Sequence, residues 1–165
     1  MRDPYISRIV SYTEGRDPIA MQGETPEILR RLVDGVSEKE LKRSPAPGKW
    51  SVAEILAHLA ESEIVTIWRY RQMIENSGGP LSAYDQEQWA RMGKYGSRDA
   101  ATSLRLFTDL RNVNLEMFAR LTPEEWQRFG VHAERGKMTV ETLARHIAGH
   151  DRNHVEQIQK ILGKE

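Results

Sequence analysis

The stretch KWSVAEILAHLAESEIVTIWRYRQMIENSGG, residues 49–79, contains both the start and the stop signals of one long helix. Ser51 is a favoured N-cap residue, and Glu54 three positions later completes a capping box. At the other end, residues 76–80 favour left-handed conformations or cannot continue a helix. Between these limits, apolar side chains recur with a helical period: Val52, Ile55, Leu56, Leu59, Ile67 and Ile74. The stretch predicts a helix of about seven turns.

Three further long helices are predicted along the chain. One begins at Thr139 and ends at Gly163, one is capped by Ser97 and covers residues 98–121, and one opens at Thr25-Pro26-Glu27 with proline in its first turn. Short capped turns at residues 37–40 and 122–125 connect them. Strand alternation is nearly absent, and residues 128–138 are the one segment that suggests an extended excursion. The pattern predicts an all-α four-helix bundle.

The chain also resembles itself. Residues 48–63, GKWSVAEILAHLAESE, align with residues 136–151, GKMTVETLARHIAGHD, at a shift of 88 positions, which places His58 over His146. Two explanations stay open at this point. Good helix starts resemble one another by convergence, or a duplicated helical hairpin gives the bundle an internal pseudo-twofold repeat.

Composition limits the possible functions. The 165 residues contain 24 Lys and Arg, 24 Asp and Glu and no cysteine, so we expect one domain over residues 1–165 without thiolate zinc sites. Because no excess positive charge is available, nucleic acid is not an expected partner. The apolar runs are too short for a membrane span or signal peptide, which predicts a soluble, cytoplasmic protein.

The segment HIAGHDRNH, residues 146–154, contains three of the five histidines at intervals of four residues. The apolar seam of its helix runs through Leu143, Ile147, His150, His154, Ile158 and Ile161. His150 and His154 therefore interrupt the buried stripe, whereas His146 lies beside it. Histidines four apart on a helix face the same side and can bind one ion.

Two buried imidazoles need partners for their ring nitrogens, and metal coordination provides them. A third ligand must come from another helix, and His58, one turn beyond Ile55, is the candidate. Three histidines with open positions are typical of catalytic zinc, and the set also suits nickel, iron or manganese. The competing interpretation is that core histidines bind a carboxylate or carbonyl and the bundle contains no metal. His132, in the irregular segment, is predicted to be a surface histidine.

Residues 48–63, followed about 90 residues later by HIAGHDRNHVEQI, resemble the DinB/YfiT-like superfamily of metal-dependent enzymes. The resemblance extends from TPEILRRLVDGV, residues 25–36, to the last helix. It implies a four-helix bundle that holds one divalent ion through His58, His150 and His154, with no necessary role for His146. Relatives in this superfamily are often dimers, so the resemblance also implies a homodimer.

A divalent ion with three neutral ligands keeps its charge and acidifies a bound water or thiol. This predicts a small-molecule substrate and either a metal-dependent hydrolase or a transferase or isomerase that uses a low-molecular-weight thiol. The resemblance implies the thiol class as well, since some relatives use mycothiol or bacillithiol. The alternative function is a non-catalytic, dimeric bundle that binds a metal or small ligand in a stress response.

Several other residues are candidates for supporting roles, each with an ordinary structural alternative. Glu54 or Glu61 could orient His58, and Asp151 follows His150 directly; a solvated helix face is the alternative for all three. Asp85 and Trp89 are candidates for a lid. The remaining candidates are three arginines that could meet an anionic substrate or lie at the surface, and three large aromatics expected in the core or a subunit interface: Arg69, Arg71, Arg152, Trp68, Tyr70 and Trp126.

Overall fold

The structure, a computed structural model, describes residues 4–164. Its helices are α1 (Pro4–Ser11), α2 (Pro18–Val33), α3 (Glu38–Leu41), α4 (Val52–Glu75), α5 (Gln86–Met92), α6 (Ala100–Phe118), α7 (Pro123–Trp126) and α8 (Val140–Leu162). The predicted extended excursion is confirmed as part of a small sheet, with strands β1 (Pro80–Leu81), β2 (Phe129–His132) and β3 (Gly136–Thr139). Strand β2 pairs parallel to β1 and antiparallel to β3. The all-α four-helix bundle is confirmed, because the four long helices α2, α4, α6 and α8 form the body of the molecule.

The four long helices do not alternate simply in direction. Helix α2 runs parallel to α8, since Gln22 contacts Ala144 near their starts and Leu32 contacts Lys164 near their ends. Helices α4 and α6 are also parallel neighbours, whereas α4 and α8 are antiparallel and meet at the histidines. Exchanging α2 with α6, and α4 with α8, converts the parallel pair α2–α8 into the other parallel pair, α6–α4. This arrangement is the one that a pseudo-twofold repeat of two helical hairpins requires.

The starts of α4 and α8 have the predicted caps. Ser51 and Thr139 each accept a hydrogen bond from the amide three residues later, and each helix has a reciprocal capping box. The glycines that precede these caps, Gly48 and Gly136, both have positive φ, at 71° and 69°. The two aligned segments therefore share a left-handed entry as well as a cap. Gly163 ends α8 in the left-handed conformation, as predicted.

The predicted start of α2 at Thr25 is wrong. The helix begins at Pro18, where Asp17 is the N-cap, and continues through Pro26. Proline lacks the amide that would bond to the carbonyl four residues earlier, which is that of Gln22. Arg111 from α6 donates to this carbonyl instead, at 3.0 Å. A tertiary hydrogen bond thus satisfies the group that the proline leaves unpaired, and the helix does not need to end there.

The predicted cap of α6 is also two residues early. Ser97 closes a short 3₁₀ turn, and its hydroxyl donates to the carbonyl of Lys94. Asp99 is the N-cap, because its carboxylate accepts a hydrogen bond from the amide of Thr102 at 2.7 Å. The short capped turns at Ser37 and Thr122 are confirmed as the starts of α3 and α7.

The interior has a polar layer between two apolar clusters. One cluster joins the first turns of α4 to the last turns of α8, and the other joins the end of α4 to the start of α8. Between them, α4 contributes His58, Ser62 and Glu63, while α8 contributes His150 and Asp151. The antiparallel crossing of these helices therefore places their buried polar residues at the same level of the bundle.

The large aromatics divide between core and surface. Tyr70 is fully buried and its ring is nearly perpendicular to that of Phe118, and Trp126 also packs against Phe118, with ring centroids 5.2 Å apart. Trp68, in contrast, is 57% exposed. None of the helices in residues 4–164 combines the length and the apolar character that a membrane span requires. That one domain covers residues 1–165 stays a prediction.

Candidate metal centre

Three imidazoles from two remote segments meet inside the bundle. His58 on α4 and His150 and His154 on α8 each offer one ring nitrogen, and these nitrogens lie within 4.8 Å of one another. The Nε2 atoms of His58 and His150 are 3.1 Å apart. All three side chains are buried, with exposed fractions of 2%, 9% and 8%. The residues that the helical seam and the resemblance selected are therefore brought together.

The helix register explains why these rings converge. His150 and His154 are one turn apart on the buried seam of α8, and their ring centroids are 4.5 Å apart. The His58 ring lies 5.0 Å from that of His154 and 5.2 Å from that of His150. Trp50, before the cap of α4, packs against the His58 ring at 5.0 Å. The positions of the three rings are therefore set by helices α4 and α8 and by the packing of Trp50.

The outer nitrogens of the two α8 imidazoles have different surroundings. The Nδ1 atom of His154 lies 3.0 Å from Oε1 of Gln157, so it carries the proton and leaves Nε2 free to act as a ligand. The Nδ1 atom of His150 is buried without a hydrogen-bond partner among residues 4–164. Its nearest carboxylate oxygen is Oδ1 of Asp151, at 3.9 Å. Asp151 is therefore beside His150 but beyond hydrogen-bond distance.

Burial keeps the three imidazoles neutral. It lowers the pKa of His58 and His150 well below the ordinary value, and the neighbouring imidazoles lower both values further. Burial also lowers the pKa of His154, although its hydrogen bond to Gln157 opposes the shift. The neutral form is the one that binds metal ions, so the ligands need not lose a proton at neutral pH.

The distances fit two nitrogens bound to one ion. Histidine nitrogens at about 2.0–2.1 Å from a tetrahedral zinc lie about 3.3 Å apart, close to the 3.1 Å found between His58 and His150. Without an ion, two neutral imidazoles at this distance can share only one hydrogen bond, which leaves the third ring without a partner in the cluster. The donor set and its spacing therefore suit a divalent cation.

A buried ion-pair network lies directly beneath the histidines. Arg111 on α6 has no exposed surface and contacts Glu63 at 2.9 Å and Asp151 at 2.6 Å. Asn114 donates to Glu63 at 2.9 Å, and Thr25 is 3.4 Å from Asp151. Two carboxylates facing one guanidinium give this layer a formal charge of −1, which favours a cation close by.

The expected roles of two glutamates need correction. Glu54 accepts hydrogen bonds from the amide and the hydroxyl of Ser51, so its carboxylate completes the helix cap. Glu61 accepts from Tyr95 at 3.0 Å and pairs with Arg98. In the part of the chain that the structure describes, neither carboxylate hydrogen-bonds to His58, whose neighbour on α4 is the Ser62 hydroxyl at 3.5 Å. The sequence spacing allows Glu54 or Glu61 to reach His58, but each carboxylate binds other partners instead.

A cavity of about 280 Å³ opens beside the cluster. His150 and Ser62 line it together with two residues whose predicted positions change. His132 is buried and lines the cavity, so the prediction of a surface histidine is wrong, and His146 lines it as well. Of the three candidate arginines, only Arg69 lines this cavity; Arg71 borders another groove, and Arg152 pairs with Glu156 on the surface.

The segment predicted as a lid lies near this cavity. Asp85 caps helix α5 by accepting from the amide of Gln88, and Trp89 packs against Tyr84 with ring centroids 5.0 Å apart. Tyr84 lines the cavity, and its hydroxyl is 3.4 Å from that of Ser62. Asp85 and Trp89 thus hold the segment that carries Tyr84. Whether this segment moves as a lid stays a prediction.

The sequence interpretation missed Arg111 and Asn114, which both donate to Glu63. They occupy positions on the buried face of α6 between Phe107 and Phe118, at spacings of four, three and four residues. Two polar residues on the apolar seam of a helix indicate a buried polar contact, and this signal was present in the sequence. It is the same signal that identified His150 and His154.

Comparison with known proteins agrees with this architecture. The sequence profile of the DinB superfamily matches residues 23–158, a range that includes all three histidines. The chain belongs to the DinB superfamily. The resemblance to the DinB/YfiT-like proteins is thereby confirmed.

Individual relatives are distant but match most of their length. The chain is 22% identical over 139 residues to a Bacillus subtilis protein named "Putative metal-dependent hydrolase YfiT", covering 84% of this chain and 78% of the relative. A protein of Oceanobacillus iheyensis with the same functional name is 23% identical over 134 residues, covering 81% and 77%. The solved structure of Bacillus subtilis YfiT, which has an unusual four-helix bundle topology, matches with a TM-score of 0.81 at 20% identity, covering 90% of this chain and 87% of that one. This likeness supports the order and directions of the helices described above.

Proposed function

We propose that this DinB superfamily protein is a metal-dependent hydrolase of small molecules, with His58, His150 and His154 as the metal ligands. The convergence of three buried, neutral imidazoles beside a cavity carries the proposal. The names of the relatives point to the same reaction class. The three ligands suit zinc, nickel, iron or manganese, and we infer one divalent ion per chain.

The donor set favours catalysis over a closed structural site. Three neutral ligands leave the charge of a divalent ion uncompensated and its remaining positions available, and such an ion polarises a carbonyl and lowers the pKa of water. The surrounding residues have separate tasks. Gln157 fixes the ring of His154, while the hydroxyls of Ser62 and Tyr84 face the cavity and can hydrogen-bond a substrate.

Metal content of purified variants tests the ligand set. His58→Ala, His150→Ala and His154→Ala should each lose most of the bound metal measured by inductively coupled plasma mass spectrometry. His132→Ala and His146→Ala are matched controls, because both remove a histidine that lines the cavity outside the cluster. Equal metal content in all five variants would overturn the site.

Hydrolysis of 4-nitrophenyl acetate tests the reaction class. The wild-type protein should hydrolyse it after addition of zinc, nickel, iron or manganese, and a chelator should abolish the activity. The His58→Ala variant should be inactive with every ion, while Arg71→Gln, a change outside the cavity, keeps measurable turnover. Metal binding without hydrolysis across a panel of esters and amides would favour the non-catalytic binding bundle. Turnover that requires added mycothiol or bacillithiol would instead favour the predicted thiol-dependent transferase.

The homodimer and the cytoplasmic location stay predictions. Sedimentation velocity of the purified chain tests the first, and cell fractionation tests the second. Neither result changes the metal site, because all three proposed ligands come from one chain.

A further inference from the structure

The cavity beside the histidine cluster has basic side chains in its wall. Arg69 from α4 and Arg135 from the loop between β2 and β3 both line it, and the acidic residue among the described lining residues is Glu134. The same cavity is lined by His150. A molecule that fills it would therefore contact both a proposed metal ligand and two guanidinium groups.

The contact between Arg69 and His132 leaves two donors facing each other. The Nδ1 atom of His132 accepts a hydrogen bond from the amide of Glu134 at 3.2 Å, so the proton of the neutral ring is on Nε2. That Nε2 atom lies 3.4 Å from Nη2 of Arg69, which is also a donor. Two N–H groups cannot bond to each other, and both can bond to one acceptor placed beside them.

The guanidinium groups are held in place without a carboxylate. Arg69 donates to the carbonyl of Ser82 through Nε at 3.2 Å and Nη2 at 2.6 Å, and Arg135 donates to Nε2 of His146 at 3.0 Å. Within residues 4–164, neither arginine has an ion-pair partner among the acidic side chains. Burial and the charge of Arg135 lower the pKa of Arg69, although its guanidinium stays cationic at neutral pH. Two positioned cations with unused donors form a site for a negative group.

We propose that Arg69, His132 and Arg135 form an oxyanion-binding subsite for a carboxylate or phosphate group of the substrate. The substrate class is then a small anionic molecule whose negative group lies against these residues while its reacting bond lies toward His150. That the bound molecule is a substrate rests on the proposed hydrolase function. The anion site itself does not, because none of its three residues belongs to the histidine cluster.

The volume of the cavity limits the size of the molecule that can bind in it. A volume of about 280 Å³ lies just below the usual range for small-molecule sites. Arginine recognises carboxylates and phosphates through two parallel N–H groups, so both anions are compatible with the subsite. The subsite is therefore suited to a single carboxylate or phosphate group on a small molecule.

Binding of inorganic phosphate and of succinate to the metal-free protein tests the subsite, with isothermal titration calorimetry as the measurement. Wild-type protein should bind at least one of the two anions. Arg69→Gln and Arg135→Gln should each weaken that binding about tenfold or more, the loss expected for one charge-assisted hydrogen bond. Arg71→Gln is the matched control, since it removes the same charge from the same helix but outside the cavity. Which anion binds more tightly distinguishes a carboxylate substrate from a phosphate substrate.

The outcomes separate this subsite from the metal site. Equal affinity in Arg69→Gln and Arg71→Gln, or no anion binding by the folded wild-type protein, would overturn the subsite. Repeating the titration with zinc present shows whether an anion binds the ion instead; in that case His58→Ala, and not Arg69→Gln, abolishes binding. Zinc binding by Arg69→Gln should equal that of wild type, which keeps the two proposals distinguishable. Circular dichroism of each variant checks that the fold is intact.

Discussion

Glu63 and Asp151 hold the same guanidinium from two different helices. They occupy equivalent positions in the two aligned segments, and Arg111 of α6 contacts one at 2.9 Å and the other at 2.6 Å. All three side chains are buried. The internal resemblance between residues 48–63 and 136–151 therefore extends beyond helix capping to a shared tertiary contact. Convergent helix starts alone do not require this contact.

The first prediction is that Arg111→Ala strongly destabilises the protein. Removing the guanidinium leaves two buried carboxylates unpaired and also leaves the Gln22 carbonyl without its donor. Breaking a buried ion pair in this way costs about 3–5 kcal/mol. Urea denaturation followed by circular dichroism measures the change. Arg120→Ala is the control, since Arg120 and Glu116 form an exposed pair and little change is expected. Similar midpoints for both variants would contradict the structural role of the network.

The second prediction separates the two carboxylates by their effect on metal binding. Asp151→Asn and Glu63→Gln each remove one negative charge from Arg111, so both should lower the free energy of unfolding. Only Asp151 lies beside a proposed ligand, with Oδ1 3.9 Å from Nδ1 of His150. Asp151→Asn should therefore weaken zinc affinity, by about tenfold, because it removes a negative charge close to the bound cation. Zinc titration with a competing chelator measures this. An equal loss of zinc affinity in both variants would show that Asp151 acts only through its ion pair with Arg111.

Much of the fold was predictable because local signals and apolar periodicity agree in α4 and α8. The caps at Ser51 and Thr139 follow from the sequence. The apolar seam that directs His150 and His154 into the interior follows from it as well. The start of α2 was not predictable in this way. Pro26 is a strong local stop signal, and the hydrogen bond that overrides it comes from Arg111, 85 residues further along the chain.

The candidate site was predictable to a similar degree. The ligand set could be inferred because helical spacing fixes which histidines face inward. The cavity wall could not be inferred, since His132 and Arg135 reach it through a hairpin whose packing depends on β1. The roles assigned to Glu54 and Glu61 failed for a related reason. Helix spacing shows which residues can meet, but competing partners such as Ser51 and Tyr95 decide which contacts form.

The third prediction concerns the pH dependence of stability in the metal-free protein. Burial, with the nearby charge of Arg135, lowers the pKa of His146 to about 4. In the unfolded chain the ordinary pKa is about 6.5. Between these values the unfolded state binds a proton that the folded state does not, so stability falls as the pH falls from 6.5 toward 4. His146 should account for about 2 kcal/mol of the loss between pH 7 and pH 5.

His146→Gln tests this contribution, because the glutamine can still accept the hydrogen bond from Arg135 and does not titrate. Urea denaturation at pH 7 and pH 5, with a chelator present, gives the loss for each protein. The variant should lose less stability than wild type over this interval. An identical loss in both proteins would show that His146 takes up its proton equally well in the folded state.

The fourth prediction concerns the attachment of α1 to the bundle. Gly149 is a buried residue of α8 at the contact with α1. A Cβ atom at this position would overlap the carbonyl oxygen of Ile9. Gly149→Ala should therefore displace α1 and lower the free energy of unfolding by about 1–3 kcal/mol. Gly23→Ala in α2 is the matched control, because its Cβ would meet only Leu115 at 3.9 Å. That substitution should be neutral or stabilising, as alanine favours helix by about 1 kcal/mol over glycine. Limited proteolysis should cleave near residue 12 faster in Gly149→Ala than in Gly23→Ala. Equal cleavage and equal stability in the two variants would mean that α1 does not pack against Gly149 in solution.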